Sequence, residues 1–321
     1  VRRRAALLLA GLGGLSAGAP ALAQDYPARP VTLVVGFAPG GNADLVARLV
    51  AQQLGEMLGQ TVLVENRGGA GGLLASENVA RAAPDGYRLL LVSGAFPTQA
   101  ATLPRLPFDP ERDFTPVSML VSYPLVVVVP SASPVQSLDG LLREARNRPR
   151  QLTYPSPGNG SLFHLAVEVF ETLAGIEMTH VPFRGGSQQL NEILAGRLDV
   201  MFDTFSVVQP QLRAGTLRAL AVTSAARMPQ LPDVPAVAET FPGYEANSFL
   251  GVAGPAGMLP AVVGRLNAAI RQVLEQPGIR ARLGELGGEP VGGTPGEMGT
   301  RISAEISRWR TVARARGIQA E

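Results

Sequence analysis

The chain has 321 residues, 46% of them hydrophobic and 17% charged, which excludes a disordered or fibrous protein and suits two compact units. It has no cysteine, and all 28 basic residues are arginine. Disulfides, thiolate metal centres, cysteine nucleophiles, Schiff bases and a lysine-type phosphate loop are therefore excluded, and two histidines leave little for a histidine metal centre.

The first residues read as an export leader. Arg2, Arg3 and Arg4 form a basic head, Ala5 to Leu15 an apolar run, and Ala21-Leu22-Ala23 a small-residue cleavage site with cutting expected after Ala23. Gly11, Gly13 and Gly14 interrupt the run, which is too short to span about 30 Å of hydrocarbon. The leader carries three arginines and no acid, so its removal takes the formal charge from +2 to −1 and leaves no basic surplus for nucleic acid. Gly14-Leu15-Ser16-Ala17-Gly18 spells the nucleophile elbow G-x-S-x-G inside the leader, with no strand before it, and is a chance match.

Beyond the leader, short β-branched runs alternate with amphipathic stretches. Strands are predicted at 31–36, 61–64 and 88–92, with helices at 43–58 and 73–82 between them, an order that implies a mostly parallel sheet. Residues 97–116 read as a connection. A second series follows: strand 125–129, helix 138–146, strand 152–154, helix 162–173, strand 178–181, helix 188–195, strand 200–202, a helix ending near 214 and strand 217–222. The tail adds strand 249–253 and helices 260–274, 279–286 and 295–315. The first block needs more sheet and helix than it owns, so the tail is expected to return to it. The expected fold is two α/β lobes with the chain crossing twice between them: a leader over 1–23, one lobe from 24–124 plus 245–321, the other from 125–244.

Glycine clusters precede several predicted helices: Gly40-Gly41, Gly68 to Gly72, Gly158-Asn159-Gly160 and Gly185-Gly186. Glycine lets a ligand approach the backbone, and the helix start behind it exposes unpaired N–H groups that each favour an anion by about 0.3–1 kcal/mol. Several such starts on one cleft would hold a carboxylate without lysine. The dinucleotide spacing G-x-G-x-x-G is absent beyond the leader, so no nicotinamide or flavin cofactor is expected, and no metal. Ser161, His164 and Asp203 supply the residue types of a hydrolase, but Ser161 reads better as a helix cap and His164 as a polar group on the first turn facing the cleft. His180 reads as a satisfied structural histidine. Asp203 ends a strand where α/β sheets place ligands.

The chain resembles a known family through Phe37-Ala38-Pro39-Gly40-Gly41 with Asp44 and Arg48, Val64-Glu65-Asn66-Arg67, Pro84-Asp85-Gly86-Tyr87, Gly158-Asn159-Gly160-Ser161 with His164, His180 to Gly185, Met201-Phe202-Asp203 and Leu231 to Pro235. It is similar, along nearly all its length, to the Bug-type (TctC) extracytoplasmic solute receptors of tripartite tricarboxylate transporters. The resemblance implies a type 2 periplasmic binding protein fold that closes on one small carboxylate, held mainly by backbone N–H groups and water, and delivers it to membrane permease subunits. The protein would be a periplasmic monomer without enzymatic activity, cofactor or nucleic-acid partner. Carried over by position, Phe37, Ala38, Gly40, Gly41 and Ser93 line the first lobe. Ser156, Gly158, Asn159, Ser161, His164, Phe183, Gly185 and Asp203 line the second. A ligand sensor for a membrane kinase and a periplasmic hydrolase or transferase are the alternatives on the same fold. Pro157 and Arg184 depart from the residues common in the family, and Phe96 with Phe205 is expected to give the pocket an aromatic wall, so a carboxylate with an apolar or aromatic body is expected at least as much as a plain dicarboxylate.

Overall fold

In the computed structural model, residues 26–183 and 186–320 are described. The expected leader, the Gly14–Gly18 motif and Gly185 lie outside them. The first part of the chain forms β1 (Val31–Val35), α1 (Asn42–Leu58), β2 (Val62–Asn66), α2 (Leu73–Ala80), β3 (Arg88–Ser93), α3 (Ala95–Thr102) and β4 (Phe114–Pro130). Next come α4 (Leu138–Asn147), β5 (Thr153–Ser156), α5 (Leu162–Ala174), β6 (Thr179–Pro182), α6 (Gly186–Leu194), β7 (Met201–Thr204), α7 (Phe205–Arg213), β8 (Leu217–Val222) and α8 (Val237–Thr240). The remainder is β9 (Asn247–Pro255), α9 (Pro260–Glu275), α10 (Pro277–Glu285), β10 (Glu289–Pro290) and α11 (Pro295–Arg316).

The first sheet has the order β10-β4-β9-β3-β1-β2. β1 is parallel to β2 and β3, but β9 is antiparallel to β3 and to β4, so the sheet is mixed and not mostly parallel. The unbroken apolar run of β1 fits a strand covered on both faces. On one face Leu33 and Val35 pack with Val46, Val50 and Leu54 of α1 and Leu266, Ile270 and Val273 of α9. On the other, Val34 packs with Val79 of α2, Phe96 of α3 and Met298 and Ile302 of α11. Each such side chain contributes about 1.5–3 kcal/mol by leaving water.

β4 does not stay in one sheet. Up to Pro124 it pairs with β9, and from Leu125 it pairs with β7 and β8, both antiparallel. β5 and β6 pair in parallel beside β7, joined to it through the Asp199 and Val200 amides on the Thr153 carbonyl, each 3.2 Å. Leu141 of α4 and Leu165 and Phe170 of α5 cover one face of this second sheet; Ile193 of α6 and Val208 of α7 cover the other. The chain returns to the first sheet at Asn247, which pairs with Pro124. Thr223 joins the two crossings. Its buried hydroxyl accepts from the Leu125 amide and donates to the Ala246 carbonyl, both at 2.7 Å.

The expected connection at 97–116 contains most of α3 and the start of β4. Pro116 is carried by a register shift opposite β9, and Phe96, Phe108 and Phe114 fold the intervening loop into a ring cluster with centroids 5.1–5.9 Å apart. α11 starts on the first core but ends on the second, where Trp309 and Ala313 pack with Leu165 and Phe170.

Candidate functional site

Gly41 begins α1 without any side-chain cap, and the first intrahelical bond is Leu45 N–H to the Gly41 carbonyl, 3.0 Å. The N–H groups of Asn42, Ala43 and Asp44 thus have no intrahelical acceptor. The loop before them is shaped by Asp44, whose side chain is buried. Its carboxylate accepts from the Gly40 amide (2.9 Å), Arg48 (3.0 Å) and Asn66 (2.8 Å), and Asn66 also donates to the Phe37 carbonyl at 3.1 Å. The Arg48 hydrogen bond is the largest cause holding Asp44 down to about 2; the Gly40 amide and Asn66 add to it and burial opposes it. The Gly40 amide is therefore spent inside the protein. Ala38, Gly40 and Gly41 are exposed, and a Cβ on Gly41 would meet only the Ala38 carbonyl at 3.7 Å.

The start of α5 is built differently. Ser161 caps the helix, as the sequence indicated, accepting from the His164 amide at 3.3 Å. Leu162 and Phe163 keep amides without intrahelical acceptors. Beneath the turn, the Gly160 amide donates to His164 Nδ1 (3.2 Å) and His164 Nε2 meets Glu168 Oε1 (3.2 Å). Both ring nitrogens face groups other than Ser161 Oγ, so no Ser161–His164 nucleophile–base pair exists. His164 does not present its ring to an open cleft: it is 5% exposed and stacks on His180 with centroids 3.9 Å apart. His180 Nε2 lies 2.6 Å from Ser156 Oγ, and Ser156 is fully buried, donating to the Gly158 carbonyl at 2.9 Å and accepting from the Gly158 amide at 3.2 Å. Burial, the first cause, and His164 beside it push His180 down to about 4, so the ring is neutral at pH 7.

The structure thus brings Ser156, Gly158, Ser161 and His164 into one cluster, with the Phe183 amide on the Ser156 carbonyl at 2.9 Å and Asn159 exposed at its tip. Phe37 and Ser93 line a small cavity together with Gly36, Gly71, Gly72 and Gln99. The two groups approach at the β3–α3 corner: a Cβ on Gly94 would lie 3.0 Å from Leu162 Cδ2, and one on Gly160 2.7 Å from Thr102 Oγ1. Asp203 is buried in β7 with Oδ1 taken by the Thr204 amide at 2.7 Å, and burial pushes its carboxyl up to about 6. The Gly68–Gly72 cluster serves backbone packing, since a Cβ on Gly36 would fall 2.6 Å from Gly72 Cα. Of the expected aromatic wall, Phe96 lines the same small cavity as Phe37 and Ser93 while belonging to the ring cluster of the first core, whereas Phe205 is 4% exposed in the second core with Gly287 close against it. Cavity size alone does not locate the site: a surface cavity of about 470 Å³ between α4 and α5 and one of about 400 Å³ beside α9 lie elsewhere.

Two sheets sharing one crossing strand, with helix starts gathered where the chain passes between them, define a two-lobed periplasmic binding protein fold. The model of the tripartite tricarboxylate transporter family receptor matches residues 46–318, and the chain belongs to that family of solute-binding receptors. It is 38% identical over 289 residues to the UPF0065 protein in the tcbD-tcbE intergenic region of Pseudomonas sp. (strain P51), covering 89% of this chain and 86% of that one. To protein BugT of Bordetella pertussis it is 35% identical over 302 residues, 93% of each chain. Among solved structures it is similar to R. palustris Rpa4515 with adipate, with TM-score 0.84 and 38% identity over 92% of this chain and 99% of that one. MatC from Rhodopseudomonas palustris with bound malate has TM-score 0.79 and 34% identity over 89% and 99%.

Proposed function

We propose that this receptor works in the periplasm, closes on one small aliphatic dicarboxylate and hands it to membrane permease subunits, without making or breaking a bond. The observation that carries the reading is the pair of helix starts on either side of the β3–α3 corner: α1 uncapped over exposed Gly40 and Gly41, and α5 with the Leu162 and Phe163 amides left over. A carboxylate between them would accept charge-assisted bonds from both, and only when the lobes are closed. The lobes would divide at the two crossings, 24–124 with 245–321 against 125–244, with the end of α11 reaching across onto the second core. Phe37, Ala38, Gly41 and Ser93 would face the ligand from the first lobe and Asn159, Ser161, Phe183, Gly185 and Asp203 from the second. Gly40, Ser156, Gly158 and His164 would shape the walls. The aliphatic class is supported by the adipate and malate in the related structures and by the core position of Phe205.

Titration calorimetry of the purified chain with adipate, malate, aromatic monocarboxylates and amino acids tests the reading. An affinity near micromolar, about 8 kcal/mol, for an aliphatic dicarboxylate with the ligand recovered unchanged is expected. Tighter binding of an aromatic acid contradicts the ligand class. Turnover of the ligand contradicts the receptor.

A further inference from the structure

The wall behind the second-lobe turn is wired to the far end of the chain. Gly160 N–H can be held only by an unprotonated His164 Nδ1, so the ring must carry its one proton on Nε2, where Glu168 Oε1 accepts it. Tyr154 OH donates to the same Glu168 oxygen at 3.3 Å. The other oxygen, Oε2, accepts from Arg316 Nε, and Arg316 also reaches Glu171 Oε2 at 3.0 Å. Arg316 is the last residue of α11, the helix that starts on the first core and ends on the second.

We propose that Arg316 is a positioning residue for the ligand site: it holds Glu168, Glu168 sets the proton of His164, and His164 Nδ1 holds the Gly160 amide and with it the Gly158–Ser161 turn. The inference rests on the receptor reading for its binding readout only. Buried Glu168 needs a positive partner. The proposal requires that, without Arg316, the charge be met in one of two ways. Either His164 takes a second proton and becomes the counter-ion, or Glu168 is protonated on Oε1 and donates to Nε2, leaving the ring proton on Nδ1. Both put hydrogen on Nδ1 and remove the acceptor of Gly160, whereas a proton on Oε2 would leave Nε2–H and the Gly160 bond in place and is the outcome that overturns the proposal. The same carboxylate is held down to about 2 despite its burial, by hydrogen bonds from His164 and Arg316 and by the Arg316 charge. The other ionisable neighbours do not supply the missing charge: His180 stacks face to face on His164, Tyr154 is neutral, Glu171 is acidic and accepts from the Met178 amide, Glu177 is paired with Arg150 at 2.6 Å, and Arg146 of α4, which lines the surface cavity beside Arg316 and Glu171, is held by the Ala174 carbonyl at 3.2 Å.

The chain has two histidines, so the test is tractable on the full protein with ¹⁵N-labelled histidine, a His180→Gln variant assigning the signals. Long-range ¹H–¹⁵N correlation of the ligand-free wild type should show His164 Nδ1 unprotonated and Nε2 protonated, a pattern kept in Arg316→Lys. In Arg316→Gln, Nδ1 should move to the protonated range while cooperative unfolding persists, and adipate binding should weaken about tenfold or more. Arg316→Met with Glu171→Gln, which removes one charge of each sign, should give the same ring change if the single variant fails to fold. An unchanged Nδ1 signal in a folded variant overturns the proposal, as does unchanged adipate affinity where wild type binds adipate. If wild type binds no carboxylate, the receptor reading fails, and the ring signal alone still decides the role of Arg316.

Discussion

The two helix starts are built in opposite ways. At α1 the chain leaves the first turn uncapped and exposed, and a single carboxylate, Asp44, ties down the loop in front of it. At α5 the turn is capped by Ser161 and backed by buried Ser156, His164 and Glu168, half-buried His180 and the exposed Arg316. The first start depends on one locally supplied charge; the second is held by side chains from four elements. Changes behind the second should therefore cost stability along with binding, whereas changes at the mouth of the first should cost binding with little loss of stability.

The largest effect is expected at Gly160→Ala. The residue has φ +71°, and its added Cβ would lie 2.7 Å from Thr102 Oγ1. Left-handed strain of about 1–2 kcal/mol and overpacking of about 1–3 kcal/mol should together lower the urea midpoint well below wild type. A midpoint equal to wild type would remove the second start's claim to rigidity. Thr223→Val comes next. It deletes the hydroxyl that serves both crossings and should cost about 1–3 kcal/mol by chemical denaturation, leaving the Leu125 amide unpaired. Asp44→Asn sharpens the contrast through pH. The Asp44 carboxyl is held down to about 2, so its contribution is complete above the unfolded carboxylate's value near 4 and is lost as pH falls through about 2. The variant should show a smaller loss of stability between pH 5 and pH 2 than wild type. The smallest effect concerns Glu171. Burial, the first cause, and the Glu168 charge push it up to about 7 against the Met178 amide and Arg316, so wild-type stability should decline as pH rises from about 4.5 to 7. Glu171→Gln should flatten that slope in thermal melts taken across the range; an identical slope would place the raised group elsewhere, Asp203 being the other buried carboxyl shifted upward.

Much of the fold could be read from the chain because its strands are short, apolar and bounded by turn residues: β1 and β8 lie where their apolar runs place them. The first half of β4 could not, since Pro116 and Pro124 read as breakers and only the register shift and the partner change opposite β9 reveal why both are tolerated. The site was legible as glycine before a helix start. What could not be counted was which amides stay free. Gly40 and Gly160 both give their N–H to an acceptor four residues ahead, Asp44 and His164, so the same local spacing that marks the turn also spends its amide. The joining of His180, Glu168 and Arg316 into one wall had no signal in sequence, because its members are up to 148 positions apart and meet only through the packing of α5, β6 and α11.

The most direct measurement is calorimetric titration of adipate and malate into wild type and Gly41→Val, with thermal unfolding followed on the same samples. Gly41 sits at φ −77° and an added Cβ would meet only the Ala38 carbonyl, at an ordinary contact distance of 3.7 Å, so valine fits the fold while covering the amides of the α1 start. Expected are a single-site heat for wild type, a loss of about a hundredfold or more in affinity for the variant, and a melting temperature within a few degrees of wild type. Undiminished affinity in a folded Gly41→Val protein would contradict the claim that the uncapped start of α1 holds the ligand.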